Sequence, residues 1–396
     1  MKLEIMKFTM IKLKNATICK YVATSVIFLS VLFTQLSRAE SAIPPLTVEL
    51  GTKYQISSKA LEQERTLFVR LPKNYDKSKK SYPVVYVLDA NSFFSGNIYQ
   101  EAVALITRIE ATAGIPETIV VGIQSNEWYK DVIVESEPFE AFVNREVPAF
   151  IDGKFRTLPN RVLVGHSYAG AFVSGALPVD SKSFNLFLSL SPIYPSLAFI
   201  EKVQNRYANL KPLSARLHII DGDENPIDKL MLKEAASKLD KNVLSFEYHS
   251  MPMDSHMSVF TVGLNHGLRK HFSDYRLPAR ADLKTKNFDI AELKQYLKNR
   301  DLKYGTVSKN EFIQDAFTSM AHKYTSMNRL DLAIPYWQLS KTRFKEYFMG
   351  GYADRFVKMG DRQSAIILWQ EMRKLFPNSD KDYQSLLKKH RKHNVH

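Results

Sequence analysis

The stretch Arg161-Val-Leu-Val-Gly-His-Ser-Tyr-Ala-Gly170 decides how the rest of the chain is interpreted. Three aliphatic residues lead into a glycine, Ser167 follows two positions later, and small residues then open a helix-like segment. This order predicts a strand, a sharp turn and a helix, with Ser167 at the tip in a strained backbone conformation. Gly165 and Ala169 must be small so that strand and helix can approach closely. The turn would lift the serine hydroxyl above a sheet.

A serine hydroxyl is a poor nucleophile, so a nearby base is required. The turn follows the G-x-S-x-G pattern except that Ala169 replaces the second glycine and Gly170 comes one position late. In folds with this turn the chain order is serine, acid, histidine, and His256 is the histidine in the matching place, in a loop after a late strand. His166 is assigned to packing of the turn, with its side chain directed away from Ser167. His266 and His271 are assigned structural roles.

The acid is predicted in Gly222-Asp-Glu-Asn225, after the strand Arg216–Asp221, where it would orient the histidine ring. Glu224 is favoured, then Asp223, with Asp221 as a third candidate. One of the three is expected to cap the helix that begins at Pro226. The oxyanion would be stabilised by the backbone amide of Tyr168 and by one near Asn91.

Short apolar runs and helical periodicities alternate along residues 40–273, which predicts an α/β-hydrolase fold with a mainly parallel sheet and helices on both faces. An edge hairpin would come first. The predicted strands are Tyr54–Ser57, Thr66–Leu71, Tyr82–Asp89, Thr118–Ile123, the strand before Ser167, Asn185–Ser191, Arg216–Asp221 and Leu244–Ser250. The predicted helices include Asn97–Ala113, Pro138–Phe155, Pro195–Tyr207, Pro226–Leu239 and Ser258–Phe272.

Residues 274–286 are interpreted as a linker and residues 287–396 as a small helical domain. Met327, Ala333 and Trp337 recur as Met359, Ala365 and Trp369, which is a spacing near that of tetratricopeptide-type helical pairs. Such a domain is expected either to pack on the hydrolase part or to engage a protein partner.

The N-terminus, residues 1–39, has the pattern of a signal peptide. Lysines precede the apolar run Tyr21–Phe33, and Ser37-Arg-Ala39 offers small residues for cleavage, so a periplasmic or secreted location without a membrane span is expected. Met10 is an equally good start. Cys19, the only cysteine, lies in this segment, so the mature chain would have no disulfide, thiolate metal site or cysteine nucleophile.

The chain carries a formal net charge of +14, of which residues 1–39 contribute +5, so the mature chain keeps +9. The basic residues are spread out, apart from a cluster at Lys388-Lys-His-Arg-Lys-His393. We interpret them as a solvated basic surface, with an anionic substrate or an acidic envelope surface as the alternatives. Nothing in the sequence predicts a nucleic-acid module. No cofactor and no metal are implied.

Several segments together resemble the putative-esterase family, which includes esterase D-type enzymes and the enterobactin and salmochelin trilactone esterases. The matching segments are Leu71-Pro-Lys-Asn-Tyr75, Tyr82-Pro-Val-Val-Tyr-Val-Leu-Asp89, Val121-Gly-Ile123, Gly165–Gly170, Ser189-Leu-Ser-Pro192, His256-Met-Ser-Val259 and Gly267-Leu-Arg269. The resemblance implies a Ser167–His256 hydrolase of carboxylic esters, with siderophore-type esters as a special case. The segment Trp128-Tyr-Lys-Asp-Val-Ile-Val134 departs from the family pattern.

These observations predict an exported serine esterase that acts on a small-molecule ester through an acyl-enzyme. Two other readings use the same sequence. A thioesterase or peptidase would have the same residues and a different pocket, and a silent hydrolase fold would serve as a binding protein.

Overall fold

The computed structural model of the chain describes residues 49–391, except 91–96, 128, 135, 176–182, 211–214, 224–229, 232, 235–236, 238–242, 277–286 and 309. Residues from Leu50 onward form one compact unit. In the part of the chain so described, no helix is both long and apolar enough to cross a membrane.

The core of the molecule is a mixed sheet whose described strands number eight, in the order β1-β2-β4-β3-β5-β6-β7-β8. The pairs β1/β2 and β2/β4 are antiparallel, and all the other neighbouring pairs are parallel. The strands are β1 (Thr52–Ser58), β2 (Gln63–Arg70), β3 (Tyr82–Leu88), β4 (Ile119–Ile123), β5 (Thr157–His166), β6 (Leu186–Leu190), β7 (Arg216–Asp221) and β8 (Ser245–Ser250).

The central strands are apolar on both faces because helices cover both. Every residue of β3, β4 and β6 is buried. The helices of this part are α1 (Ile98–Ala111), α2 (Ser136–Ala141), α3 (Val147–Lys154), α4 (Tyr168–Gly175), α5 (Leu197–Ala208) and α6 (Val259–His271). This is the α/β-hydrolase fold that the sequence predicted, with the edge hairpin formed by β1 and β2. The predicted helix Pro226–Leu239 lies largely outside the described residues.

The predicted helix Pro138–Phe155 is interrupted, in contrast to the single periodic helix expected. A π-helical turn, Phe142–Glu146, separates α2 from α3, and the Val147 N–H reaches back five residues to the Phe142 carbonyl. Pro148 follows at the start of α3 and has no N–H to donate to the preceding turn. The missing donor favours the wider turn, because the regular four-residue bond cannot form there.

The C-terminal part is all helical. Its helices are α7 (Ile290–Tyr304), α8 (Asn310–Ser326), α9 (Leu330–Leu339), α10 (Lys345–Lys358), α11 (Arg362–Leu375) and α12 (Asp380–Arg391). Trp337 and Trp369, the two tryptophans of the repeated pattern, are both buried in one apolar cluster. The turns of the two helical pairs also meet, since Asn328 donates to the Asp361 carboxylate at 2.8 Å. The resemblance to tetratricopeptide repeats remains a prediction.

Helix α7 joins the two parts at the end of the sheet where the parallel strands begin. Tyr304 is buried in the apolar cluster on the α6 face of the sheet. Its ring contacts Phe272, and its hydroxyl donates to Asp274 at 2.5 Å. Gly305, with φ 60°, lies against Ser81, which precedes β3. We call this end the amino edge, and the opposite end the carboxyl edge.

Candidate active site

The turn after β5 has the backbone that the sequence predicted. Ser167 is a non-glycine residue at φ 59°, between the last residue of β5 and the first of α4. A Cβ on Gly165 would lie 2.2 Å from the Ala169 carbonyl oxygen, and one on Gly170 would lie 2.9 Å from the Leu190 carbonyl oxygen. The close approach of α4 to β6 therefore falls on Gly170. This explains why the methyl of Ala169 is tolerated where the pattern has glycine.

Backbone strain recurs at the neighbouring strand ends. Asp89 follows β3 with φ 58°, and Ser191 follows β6 with φ 38°. Left-handed backbone costs an ordinary residue about 1–3 kcal/mol, and such strain collects where function demands a particular geometry. Three adjacent parallel strands thus end in strained residues at one edge, with Ser167 in the middle.

One of the two predicted oxyanion donors can be placed. The amide of Tyr168 opens α4, so it is among the first-turn amides that have no acceptor inside the helix. The other candidate, Asn91, lies outside the described residues. Its loop starts at Ala90, whose amide donates to the Ile123 carbonyl at 3.1 Å and so ties the loop to the end of β4.

His256 lies in the turn between β8 and α6, at the same carboxyl edge as Ser167, and is half-buried. His166 Nε2 lies 2.6 Å from the His256 carbonyl oxygen, and the two rings are 4.6 Å apart between centroids. Because a carbonyl oxygen only accepts, Nε2 of His166 must carry a proton. His166 therefore does more than pack the turn, since it also holds the backbone of the histidine loop. The sequence offered no signal for this contact beyond adjacency to Ser167.

The loop after β7 is hydrogen-bonded to the histidine loop. Met251 N donates to the Asp221 carbonyl at 2.7 Å, and Asp223 N donates to the Asp254 carbonyl at 2.6 Å. A Cβ on Gly222 would lie 2.3 Å from the Asp254 carbonyl oxygen, so this contact requires glycine. Whatever residue serves as the acid, its loop is bound to the loop that carries His256.

The three candidate acids differ in their surroundings. Asp221, the last residue of β7, is 2% exposed. Asp223 is exposed, and Glu224, the candidate favoured from the sequence, lies outside the described residues. A carboxylate that orients a histidine ring works best shielded from water, and of the two described candidates Asp221 has that environment.

The segment 128–134, which departs from the family pattern, is attached to β2 through a buried ion pair. Arg65 donates to both carboxylate oxygens of Asp131, at 2.6 and 2.7 Å, and Ser125 donates to the same carboxylate at 2.9 Å. Asp131 is therefore a structural residue. Tyr129, two residues earlier, is 54% exposed and faces solvent at the carboxyl edge.

No group of three or more metal-ligating side chains occurs within the described ranges.

Comparison with known proteins finds one family model that matches part of the chain. Residues 58–226 match the family model described as "Putative esterase". A search of curated proteins finds no match.

Two solved structures resemble the fold. An IroE-like serine hydrolase from Shewanella oneidensis is 20% identical, with a TM-score of 0.54, covering 75% of this chain and 99% of its own. A protein from Capnocytophaga ochracea is 18% identical, also with a TM-score of 0.54, covering 84% of this chain and 99% of its own. At these identities the likeness shows the fold alone. Residues 58–226, which include the turn at Ser167, are therefore similar to the putative esterase family.

Proposed function

We propose that the protein is a serine esterase that hydrolyses carboxylic esters through an acyl-enzyme on Ser167, with His256 as the general base. The observation that carries the proposal is the strained Ser167 at the carboxyl edge, beside a loop that presents His256. The match of residues 58–226 to an esterase family model supports the reaction type.

In the first step His256 takes the proton of the Ser167 hydroxyl as the oxygen attacks the ester carbonyl. The amide of Tyr168 stabilises the oxyanion that develops. The protonated histidine then gives its proton to the departing alcohol. In the second step the same histidine deprotonates a water molecule, which attacks the acyl-enzyme. The bond to Ser167 Oγ then breaks, the histidine returns its proton to that oxygen, and the acid is released.

We assign the acid to Asp221 on the basis of its burial and of the hydrogen bonds that join its loop to the histidine loop. A buried carboxylate near the histidine would stabilise the imidazolium that forms in each step. Asp223 and Glu224 remain the alternatives from the sequence. The substitutions Asp221→Asn, Asp223→Asn and Glu224→Gln, measured separately, distinguish them, since the acid alone should show a large fall in kcat.

The test of the proposal is the hydrolysis of 4-nitrophenyl esters from acetate to octanoate, with a trilactone siderophore as a parallel substrate. We expect Ser167→Ala and His256→Ala to lower kcat/KM by at least ~10³-fold, because the two residues act as a unit. The matched controls are Ser326→Ala in α8 and His249→Ala in β8, which should keep wild-type rates. Equal inactivity of wild type and variants on every ester would reject the esterase and direct attention to the helical part as a binding surface. Activity on thioesters or peptides alone would favour the other acyl hydrolases.

We propose further that the enzyme is exported. The basic residues, the apolar run Tyr21–Phe33 and the small residues at Ser37 and Ala39 support this proposal. N-terminal sequencing of the protein from fractionated cells tests it, because export through this segment would leave a mature chain that starts at Glu40.

A further inference from the structure

The exposed large apolar side chains of the hydrolase part are not scattered. Among the described residues before the helical part, six are exposed: Tyr129, Ile193, Leu197, Leu230, Met253 and Met257. Five of them lie in the loops that follow β4, β6 and β8 or in the first turn of the next helix. Leu230 is the first described residue beyond the loop that follows β7. We call these six side chains the apolar rim.

Five members of the apolar rim lie at the carboxyl edge, where Ser167 also lies. Ile193 N donates to the Ser167 carbonyl at 3.1 Å, which places this residue against the turn itself. Met257 directly follows His256 in the chain, and Met253, in the same loop, is 95% exposed. Single exposed apolar residues are ordinary, whereas a group gathered around a candidate nucleophile is typical of a site that buries an apolar ligand.

The charges at this edge are mostly negative, although the chain as a whole is strongly basic. The described residues among 89–90, 124–130, 221–223 and 251–258, at the ends of β3, β4, β7 and β8, carry five carboxylates and one cation. These are Asp89, Glu127, Asp221, Asp223, Asp254 and Lys130. Carboxylates flank Ser167 from both sides in the sheet order, since Asp89 follows β3 and Asp221 ends β7. An anionic substrate would be repelled at this edge, because like charges within about a Debye length of ~8–10 Å raise its free energy.

We propose that the substrate is an electrically neutral ester with a bulky apolar group, which the apolar rim takes out of water when the carbonyl reaches Ser167. The inference rests on the proposed esterase function and deepens it. On this inference the net positive charge of the chain lies on surfaces away from the site. Anionic substrates such as a ferric catecholate complex are then disfavoured.

The experiment compares two esters with the same number of acyl carbons, one ending in a methyl group and the other in a carboxylate. These are 4-nitrophenyl hexanoate and the mono-4-nitrophenyl ester of adipic acid, which has the same six-carbon acyl chain ending in a carboxylate. The leaving group is the same, so the ratio of kcat/KM reports the acyl end alone. We expect the neutral ester to be preferred by ~10-fold or more, and the preference to shrink with added salt as the repulsion is screened.

Substitutions test the apolar contribution and the charge contribution separately. Leu197→Ser and Met253→Ser should each lower the preference for hexanoate over acetate by ~3-fold or more, since one buried methylene is worth about a factor of four. Glu127→Gln should raise the rate on the adipate ester relative to hexanoate. The matched controls in the helical part are Leu302→Ser in α7 and Asp354→Asn in α10, which should change neither ratio.

The outcomes separate the inference from the function beneath it. Hydrolysis of the adipate ester at least as fast as hexanoate, with dependence on Ser167, would overturn the inference and leave the esterase intact. Equal losses of kcat/KM on the acetate and hexanoate esters, in both Leu197→Ser and Met253→Ser, would also overturn the inference. If neither ester is hydrolysed above the Ser167→Ala background, the proposed function fails and the inference falls with it.

Discussion

The two ends of the central sheet differ in how their backbone and side chains are used. At the carboxyl edge three neighbouring strands are followed by residues with positive φ, and several apolar side chains are exposed to solvent. At the amino edge the strand starts are covered by α7, and polar side chains find partners. His271 Nε2, for example, lies 2.9 Å from Asn160 Oδ1 in β5.

This difference shows how one sheet separates stability from chemistry. The amino edge gains free energy of folding by burying Tyr304 and satisfying its hydroxyl, whereas the carboxyl edge retains strain and exposed apolar surface that a substrate can use. The contacts described for α7 join the helical part to the amino edge. Substitutions at the two edges should therefore change different measured quantities.

The largest expected effect on stability is at the amino edge. Tyr304→Ala should lower the free energy of unfolding by about 3–5 kcal/mol, because it removes a buried ring from the apolar cluster and a hydrogen bond to Asp274. Chemical denaturation measures the loss. The control is Leu302→Ala in the same helix, which is 74% exposed and should cost little. A fall in kcat per folded molecule would contradict the separation of the two edges.

The second effect is the response of the amino edge to acid. Burial lowers the pKa of His271 to about 3, with Arg216, His218 and Lys303 adding to the shift and Asp274 opposing it. Burial also lowers the pKa of His218, to about 4. Below pH 6.5 these two histidines therefore bind more protons in the unfolded chain than in the folded one. Their contribution to the free energy of unfolding is fully present above that pH and is lost as the pH falls.

At pH 5 each of the two buried histidines should lower the free energy of unfolding by about 2 kcal/mol relative to pH 7. His271→Gln should remove its share, so the stability of this variant should fall less steeply between pH 7 and pH 5. Urea unfolding at a series of pH values measures the slope. An unchanged slope would mean that His271 is not the group that titrates.

At the carboxyl edge, His166→Phe should lower kcat ~10-fold, since the ring is kept but the hydrogen bond to the His256 carbonyl is lost. Because His166 acts through the position of the histidine loop, KM should change little. His166→Gln, which keeps a donor, should recover part of the rate. Equal losses in the phenylalanine and glutamine variants would indicate a packing role only.

The smallest effect reports the backbone strain at Ser167. Ser167→Gly should be more stable than Ser167→Ala by about 1 kcal/mol, because glycine adopts φ 59° without the penalty of a side chain. Both variants should be inactive, so the difference in melting temperature is free of any effect on catalysis. In the helical part the order should reverse, with Asp354→Gly less stable than Asp354→Ala. The same order at both positions would remove the evidence for strain.

The sequence by itself determined most of the fold and the position of the serine. The strands of the parallel sheet are short apolar runs separated by helical periodicity, and the turn at Ser167 needs small residues at fixed spacing, so both leave a local pattern. The predicted strand Arg216–Asp221 agrees with β7 at both ends. The interruption at Phe142–Glu146 was missed, because apolar periodicity does not register a missing amide at Pro148.

Only the tertiary structure decided which groups meet at the carboxyl edge. The sequence ranked Glu224 first, Asp223 second and Asp221 third, whereas burial in the structure separates Asp221 from the exposed Asp223. The contact between His166 and the His256 carbonyl spans 90 residues, so no local pattern could report it. The contrast between the basic chain and its acidic, apolar carboxyl edge likewise arises on folding. Composition gives the number of charges, and only the sheet order gives their positions.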